Sequence, residues 1–208
     1  MRERNSSNSD RGQAYTLEGF VSAMVVLMAV LFALQSVVIT PTSGGLSDRS
    51  VQAQIQQEAQ DALVVSDQDG NLSETIRNWN TSDDGQFYKA SVSGPSGPTY
   101  NTTEFKNQSK LGDILKQRFA DNGYNYNVEL VYENESEFNT THLVYQGTPS
   151  RNAVTASYVV TLYETDKLTA TNPIMLQNTN DDSYAYPIPE TTNTEPVYNI
   201  VEVRVIVW

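Results

Sequence analysis

The chain has 208 residues, no cysteine and a formal charge of −12. The lack of cysteine excludes a disulfide framework, a thiolate metal site and a lipid-modified cysteine. The charge argues against polyanionic partners, so no nucleic acid is expected as a ligand.

Arg2, Arg4 and Arg11 precede the first apolar segment, opposed by Glu3 and Asp10. From Gly19 to Thr40, 22 residues run without a charge or a proline. As a helix this run covers about 33 Å, close to the roughly 30 Å of bilayer hydrocarbon. Membrane attachment through 19–40 is therefore expected. From Pro41 onward there are 10 Lys+Arg against 22 Asp+Glu, so the whole net charge resides there. The Lys/Arg bias predicts a cytoplasmic N-terminus and an extracellular bulk. Three fates are open to the apolar run: removal as a signal peptide, retention as a plain signal anchor, or cleavage in front of it. Removal needs a shorter core and a small-x-small exit, whereas this exit reads Gln35-Ser-Val-Val-Ile-Thr-Pro-Thr-Ser43.

Arg11-Gly12-Gln13, a short mixed stretch and the long apolar run resemble the class III, prepilin-type leader of archaeal type IV pilin-like and pseudopilin-like proteins. The resemblance implies cleavage between Gly12 and Gln13 by a prepilin peptidase. It also implies a helix from Gln13 to about Thr40 that anchors the chain, then packs with homo- or hetero-oligomeric filament subunits. Tyr15-Thr-Leu-Glu18 is similar to the bacterial prepilin pattern, except that Glu18 is the sixth residue after the cut rather than the fifth. Glu18 is the candidate subunit contact. In a filament core its carboxylate would need a partner, such as a neighbour's new amine at Gln13. The spacings Gly19/Ala23 and Ala29/Ala33 would let helices approach closely. Scarce lysine with plentiful Thr, Asn and Asp resembles secreted, halophilic archaeal proteins.

Beyond the run, Pro41 to Gly45 predicts a break, with Ser47 or Asp48 capping an amphipathic helix over 47–65. Its stripe is Val51, Ile55, Ala59 and Ala62/Leu63. Asp67 to Asn71 ends it. A short helix over 72–79 turns Ile76 and Trp79 inward. A strand is expected over 87–92, a turn over 94–98, and a helix from Ser109 to about Asp121 with the stripe Leu111, Ile114, Leu115, Arg118 and Phe119. Gly123 suits its end. Residues 127–133, 142–147, 154–163 and 197–208 alternate as strands. The last carries apolar groups on both faces, which predicts a central position. Residues 166–196 read as a polar surface excursion with one short strand at 174–176. The expected fold is α+β: a transmembrane helix, then one exported domain of amphipathic helices on an antiparallel sheet. Its organisation is 1–12 leader, 13–40 membrane or filament-core helix, and 41–208 acidic domain.

Sites for chemistry are sparse, and no enzyme, cofactor or metal is expected. His142, the one histidine, reads as a solvated strand end, and no Gly-x-Ser-x-Gly elbow accompanies it. Asp166 with Asp181-Asp182, and Asp67/Asp69, lack calcium-loop spacing. Asn-x-Ser/Thr occurs at Asn71, Asn80, Asn101, Asn107, Asn134 and Asn139, all in predicted loops or at element ends, and marks candidate N-glycosylation. Two functional readings stand: a pilin-like subunit of a surface filament or its assembly machinery, and a non-polymerising tethered ectodomain.

Overall fold

The computed structural model describes residues 6–35, 43–79, 86–170, 173–179, 186–191 and 195–208. The chain divides into two compact units, Met1–Leu46 and Ser47–Trp208.

The first unit holds α1 (Ser6–Gln35). Its helical backbone begins well before the apolar run, and a 30-residue helix is about 45 Å long. Helix α2 (Ser43–Gln68) starts earlier than the expected residue 47, so the backbone of Ser43 to Gly45 is already helical, while Pro41 and Thr42 of the expected break lie outside the described residues.

The second unit is mixed α+β, as expected. Its sheet is antiparallel with the order β4-β3-β6-β5, built from β3 (Tyr126–Asn134), β4 (Glu137–Val144), β5 (Val154–Tyr163) and β6 (Val197–Val207). Strand β6 is central, and its Val201, Val203, Val205 and Val207 face the core at 1% exposure or less. Its alternate residues form the open face, where Ile200 is 55% exposed. Apolar residues on both faces thus gave the right position, although the second face is covered only in part.

Helices cover the inner face. In α2 only the later part of the predicted stripe is buried: Ala59, Ala62 and Leu63 enter the core, while Val51 stays exposed. Gln52, Gln56 and Gln60, four residues apart, donate side-chain N–H groups to the carbonyls of Asn152, Thr155 and Ser157 at 3.5, 3.1 and 3.2 Å. One helix face thus covers the free edge of β5, which would otherwise offer unpaired carbonyls to another strand. Gly70, at φ 74°, turns the chain into α3 (Asn71–Ile76), which buries Leu72 and Ile76. Trp79 follows at 0% exposure and packs near Tyr186 and Tyr198.

The expected strand over 87–92 does not form. Phe87 makes one bridge to Trp79, and the chain then turns at Lys89, whose φ is 62°. A hairpin of β1 (Val92–Gly94) and β2 (Gly97–Thr99) follows instead, with Pro95-Ser96 at its tip. Helix α4 (Thr102–Gln108) had no forecast; Asn101 and Glu104 close a capping box around its start. Helix α5 (Lys110–Arg118) begins where expected, with Ser109 Oγ accepting the Gly112 N–H at 2.8 Å. Gly112 lies against α4: a Cβ there would meet the Phe105 carbonyl oxygen at 2.3 Å. Leu111, Leu115 and Phe119 are buried, whereas Arg118 is exposed and leaves the stripe.

Residues 166–196 correct a second expectation. Leu168, Leu176 and Ile188 are at most 2% exposed, and Tyr198 Oη donates to the Ile188 carbonyl at 3.0 Å. The described part of the segment therefore completes the core. The predicted strand at 174–176 reduces to a single bridge, Lys167 to Met175, followed by a short 3-10 turn.

Candidate functional site

Two surfaces stand out, one in each unit. The first is the stretch Tyr15–Phe32 of α1, long and apolar enough to cross a membrane, with none of it buried within the chain. Large apolar side chains point in every direction: Phe20, Met24, Leu27, Met28, Leu31 and Phe32 are all at least 50% exposed. A helix that is apolar all round has no stripe to lay on its own domain, and its environment must come from outside the chain. Such a helix near the N-terminus is compatible with a membrane span or a signal sequence. Glu18 lies in α1 one residue before the charge-free run and is exposed. The backbone at Gly12 and Gln13 is helical. The end of the predicted span, 36–40, lies outside the described residues.

The second surface is the open face of the sheet. Register places His142, Glu129, Arg204 and Ser157 side by side across all four strands. His142 Nε2 lies 3.5 Å from Glu129 Oε1, and Arg204 Nη2 donates to Glu202 Oε2 at 2.6 Å. The Arg204 hydrogen bond holds the Glu202 carboxyl below the usual carboxylate range, with a further contribution from Ser157. Around this row, Phe138, Val159, Tyr163 and Ile200 are exposed.

His142 departs from its expected role. It is the sixth residue of β4, its side chain is only 15% exposed, and it is clamped on both ring nitrogens. Ser96 Oγ, at the tip of the β1–β2 hairpin, lies 3.0 Å from His142 Nδ1. The same oxygen accepts the His142 backbone N–H at 2.9 Å and the Thr141 hydroxyl at 3.4 Å. Serine, histidine and glutamate thus stand in line, and the serine oxygen is also tied to the β4 backbone through the His142 N–H. The arrangement fastens the hairpin to the sheet. No sequence signal pointed to it, because Ser96 and His142 are 46 residues apart.

The acidic pairs separate. Asp67 Oδ2 accepts the Tyr158 hydroxyl at 2.6 Å, Asp69 pairs with Lys110, and Asp166 Oδ2 accepts the Tyr163 N–H at 2.9 Å. Asp181 and Asp182 lie outside the described residues. Among the described residues no group of three or more acidic or histidine side chains gathers to hold a metal.

Of the sequon asparagines, Asn71 opens α3, Asn101 caps α4 and Asn107 lies in its last turn. Asn134 ends β3 beside the Glu135-Ser136 turn, where both φ values are positive. Asn139 is not in a loop: it is the third residue of β4, opposite Tyr132, because the strand begins five residues before its forecast start. Asn80 lies outside the described residues. Asn101 caps through its carbonyl oxygen, which accepts the Thr103 and Glu104 N–H groups at 3.0 and 2.8 Å. Its amide nitrogen, the atom a glycan would occupy, takes no part in the cap.

Fold and surfaces together define an α+β protein with one all-round apolar helix near its N-terminus. Within that class the chain belongs to a family of unknown function, DUF7288, which it matches over residues 11–207. The match begins at Arg11 and takes in α1 as well as the sheet. No curated protein and no solved structure matches the chain.

Proposed function

We propose that this chain is a type IV pilin-like, membrane-anchored subunit of a cell-surface filament or of its assembly machinery. The observation that carries the reading is the Tyr15–Phe32 stretch of α1: exposed apolar residues on every side, with Arg11-Gly12-Gln13 before it in the same helix and Glu18 near its start. In lipid its apolar surface is solvated by acyl chains. In a filament the same surface packs against neighbouring helices, with Gly19, Ser22 and Ala23 allowing close approach. Glu18 then pairs with the amine of a neighbouring Gln13. The acidic 47–208 unit faces the medium, and N-glycans on its sequons add to that hydrated surface. The family match supports treating helix and sheet as parts of one protein, since it spans both. The Ser96 acceptor geometry favours a structural rather than a catalytic reading of His142.

The test is isolation of surface filaments from the native cells, with sequencing of the mature N-terminus. The reading expects filaments that contain this chain starting at Gln13, and loss of both processing and filaments in Gly12→Val. A chain starting at Met1 or Arg2 and found only as dispersed membrane monomers would overturn the filament and leave a tethered ectodomain.

A further inference from the structure

We propose that two adjoining polar clefts on the 47–208 unit seat neutral saccharide. The first has a volume of about 450 Å³ and is lined by Asn71, Glu74, Asn78, Tyr88, Gln108 and Lys110, among others. The second, of about 560 Å³, is a shallow, nearly flat surface hollow that adds Asn107, Asp113 and Gln117; Gln108, Ser109 and Lys110 border both.

The lining chemistry selects the ligand class. Asn71, Asn78 and Gln108 are carboxamides, each offering a donor and an acceptor on one planar group, which suits adjacent hydroxyls on a sugar ring. Asn78 is 8% exposed, and its amide donates to Tyr100 Oη at 3.4 Å, which fixes its plane. Tyr88 supplies an aromatic wall, steadied by Lys89 Nζ lying 4.9 Å from its ring centre. Lys110 is neutralised by Asp69, so no free cation draws an anion into the first cleft, and the net charge of −12 repels polyanions. A neutral polyol meets no such penalty.

A second observation points the same way. Asn71 and Asn107 are sequon asparagines, and each lines one of the clefts. Ser109, the hydroxyl residue of the Asn107 sequon, borders both. Asn101, Asn134 and Asn139 line neither. A sugar joined to Asn71 or Asn107 therefore starts at the rim of one of these sites, whereas one joined to the other three starts away from both. The saccharide has two sources, the chain's own N-glycans or a glycan on another molecule. The inference does not depend on whether the chain polymerises.

The experiment uses the full chain in lipid nanodiscs free of sugar detergents. Glycopeptide mass mapping reads Asn71 and Asn107 in the native chain. In parallel, unglycosylated recombinant chain is titrated with maltose and galactose while the side-chain amide NMR signals of Asn78 and Gln108 are followed. Occupied Asn71 or Asn107, with those signals shifting when the glycan is removed, assigns the chain's own glycan. Bare Asn71 and Asn107, with signals shifted by added sugar, assign an outside saccharide. Gln108→Ala is expected to weaken sugar binding about tenfold, and Gln117→Ala to affect only the second cleft. Signals that move neither on glycan removal nor on sugar addition overturn the proposal.

Discussion

Helix α1 and strand β6 are both built from apolar residues, yet they solve opposite problems. Strand β6 lies between β3 and β5, and the chain itself covers its Val201, Val203, Val205 and Val207. In α1 the apolar residues from Tyr15 to Phe32 surround the axis and none is covered. Burial within the chain stabilises β6 by about 25 cal/mol per Å² of apolar surface removed from water. The same free energy for α1 is available only from lipid or from other chains. Mutations in the two regions should therefore separate cleanly, one set changing folding and the other changing partition.

The largest expected effect is in the core. Trp79→Ala removes a fully buried ring packed near Tyr186 and Tyr198 and should destabilise the 47–208 unit by about 3–5 kcal/mol. Thermal melts by circular dichroism of the full chain would show it, while sedimentation with membranes stays unchanged. Next comes Leu27→Arg in α1, which should cost about 2.5–3.5 kcal/mol in insertion and shift the chain out of carbonate-washed membranes. The melt of the folded unit should not move. If Leu27→Arg lowers that melt as much as Trp79→Ala does, the contrast between the two regions fails.

Gly112→Ala sharpens the folded side. Its Cβ would collide with the Phe105 carbonyl, so α4 and α5 must separate, at an expected cost of about 1–3 kcal/mol. Alanine is the better helix former, so a gain in stability would show that the α4–α5 contact is slack. The smallest effect concerns pH. The Glu202 carboxyl is depressed by Arg204, so its contribution is present above the unfolded-state value near 4 and lost as pH falls through the lower folded value. Solvent screening keeps it below about 1 kcal/mol. Glu202→Gln should lower stability slightly at neutral pH and converge on the parent protein in acid, flattening the acid limb, which urea titrations at several pH values would resolve.

Period carried most of what could be read from residues alone. The valine alternation of β6 and the Leu111/Leu115/Phe119 stripe of α5 are dictated locally, since each buried residue is already spaced for one face. The misses lie where distant partners decide. Residues 87–92 look like a strand, but only Phe87 finds a partner in Trp79 before the chain turns at Lys89. Helix α4 has a single buried apolar residue, Phe105, too few for a stripe, although its capping box is written in Asn101 and Glu104. Leu168, Leu176 and Ile188 lie in segments with no period of their own, and only tertiary packing draws them inward. In the candidate sites, the apolar character of α1 was legible because it is contiguous. The Ser96–His142 latch and the clefts beside Asn71 and Asn107 were not, because each joins segments that are far apart in the sequence.

The central claim is that the apolar stretch of α1, Tyr15–Phe32, stays on the mature protein and is solvated by something other than its own domain. Intact-mass analysis of the chain recovered from carbonate-washed native membranes tests this most directly. The account predicts a membrane-bound product whose mass includes α1 from Gln13 onward, with Gln13 as its first residue. Recovery of the native protein as a freely soluble species whose mass lacks the first forty or so residues would contradict it.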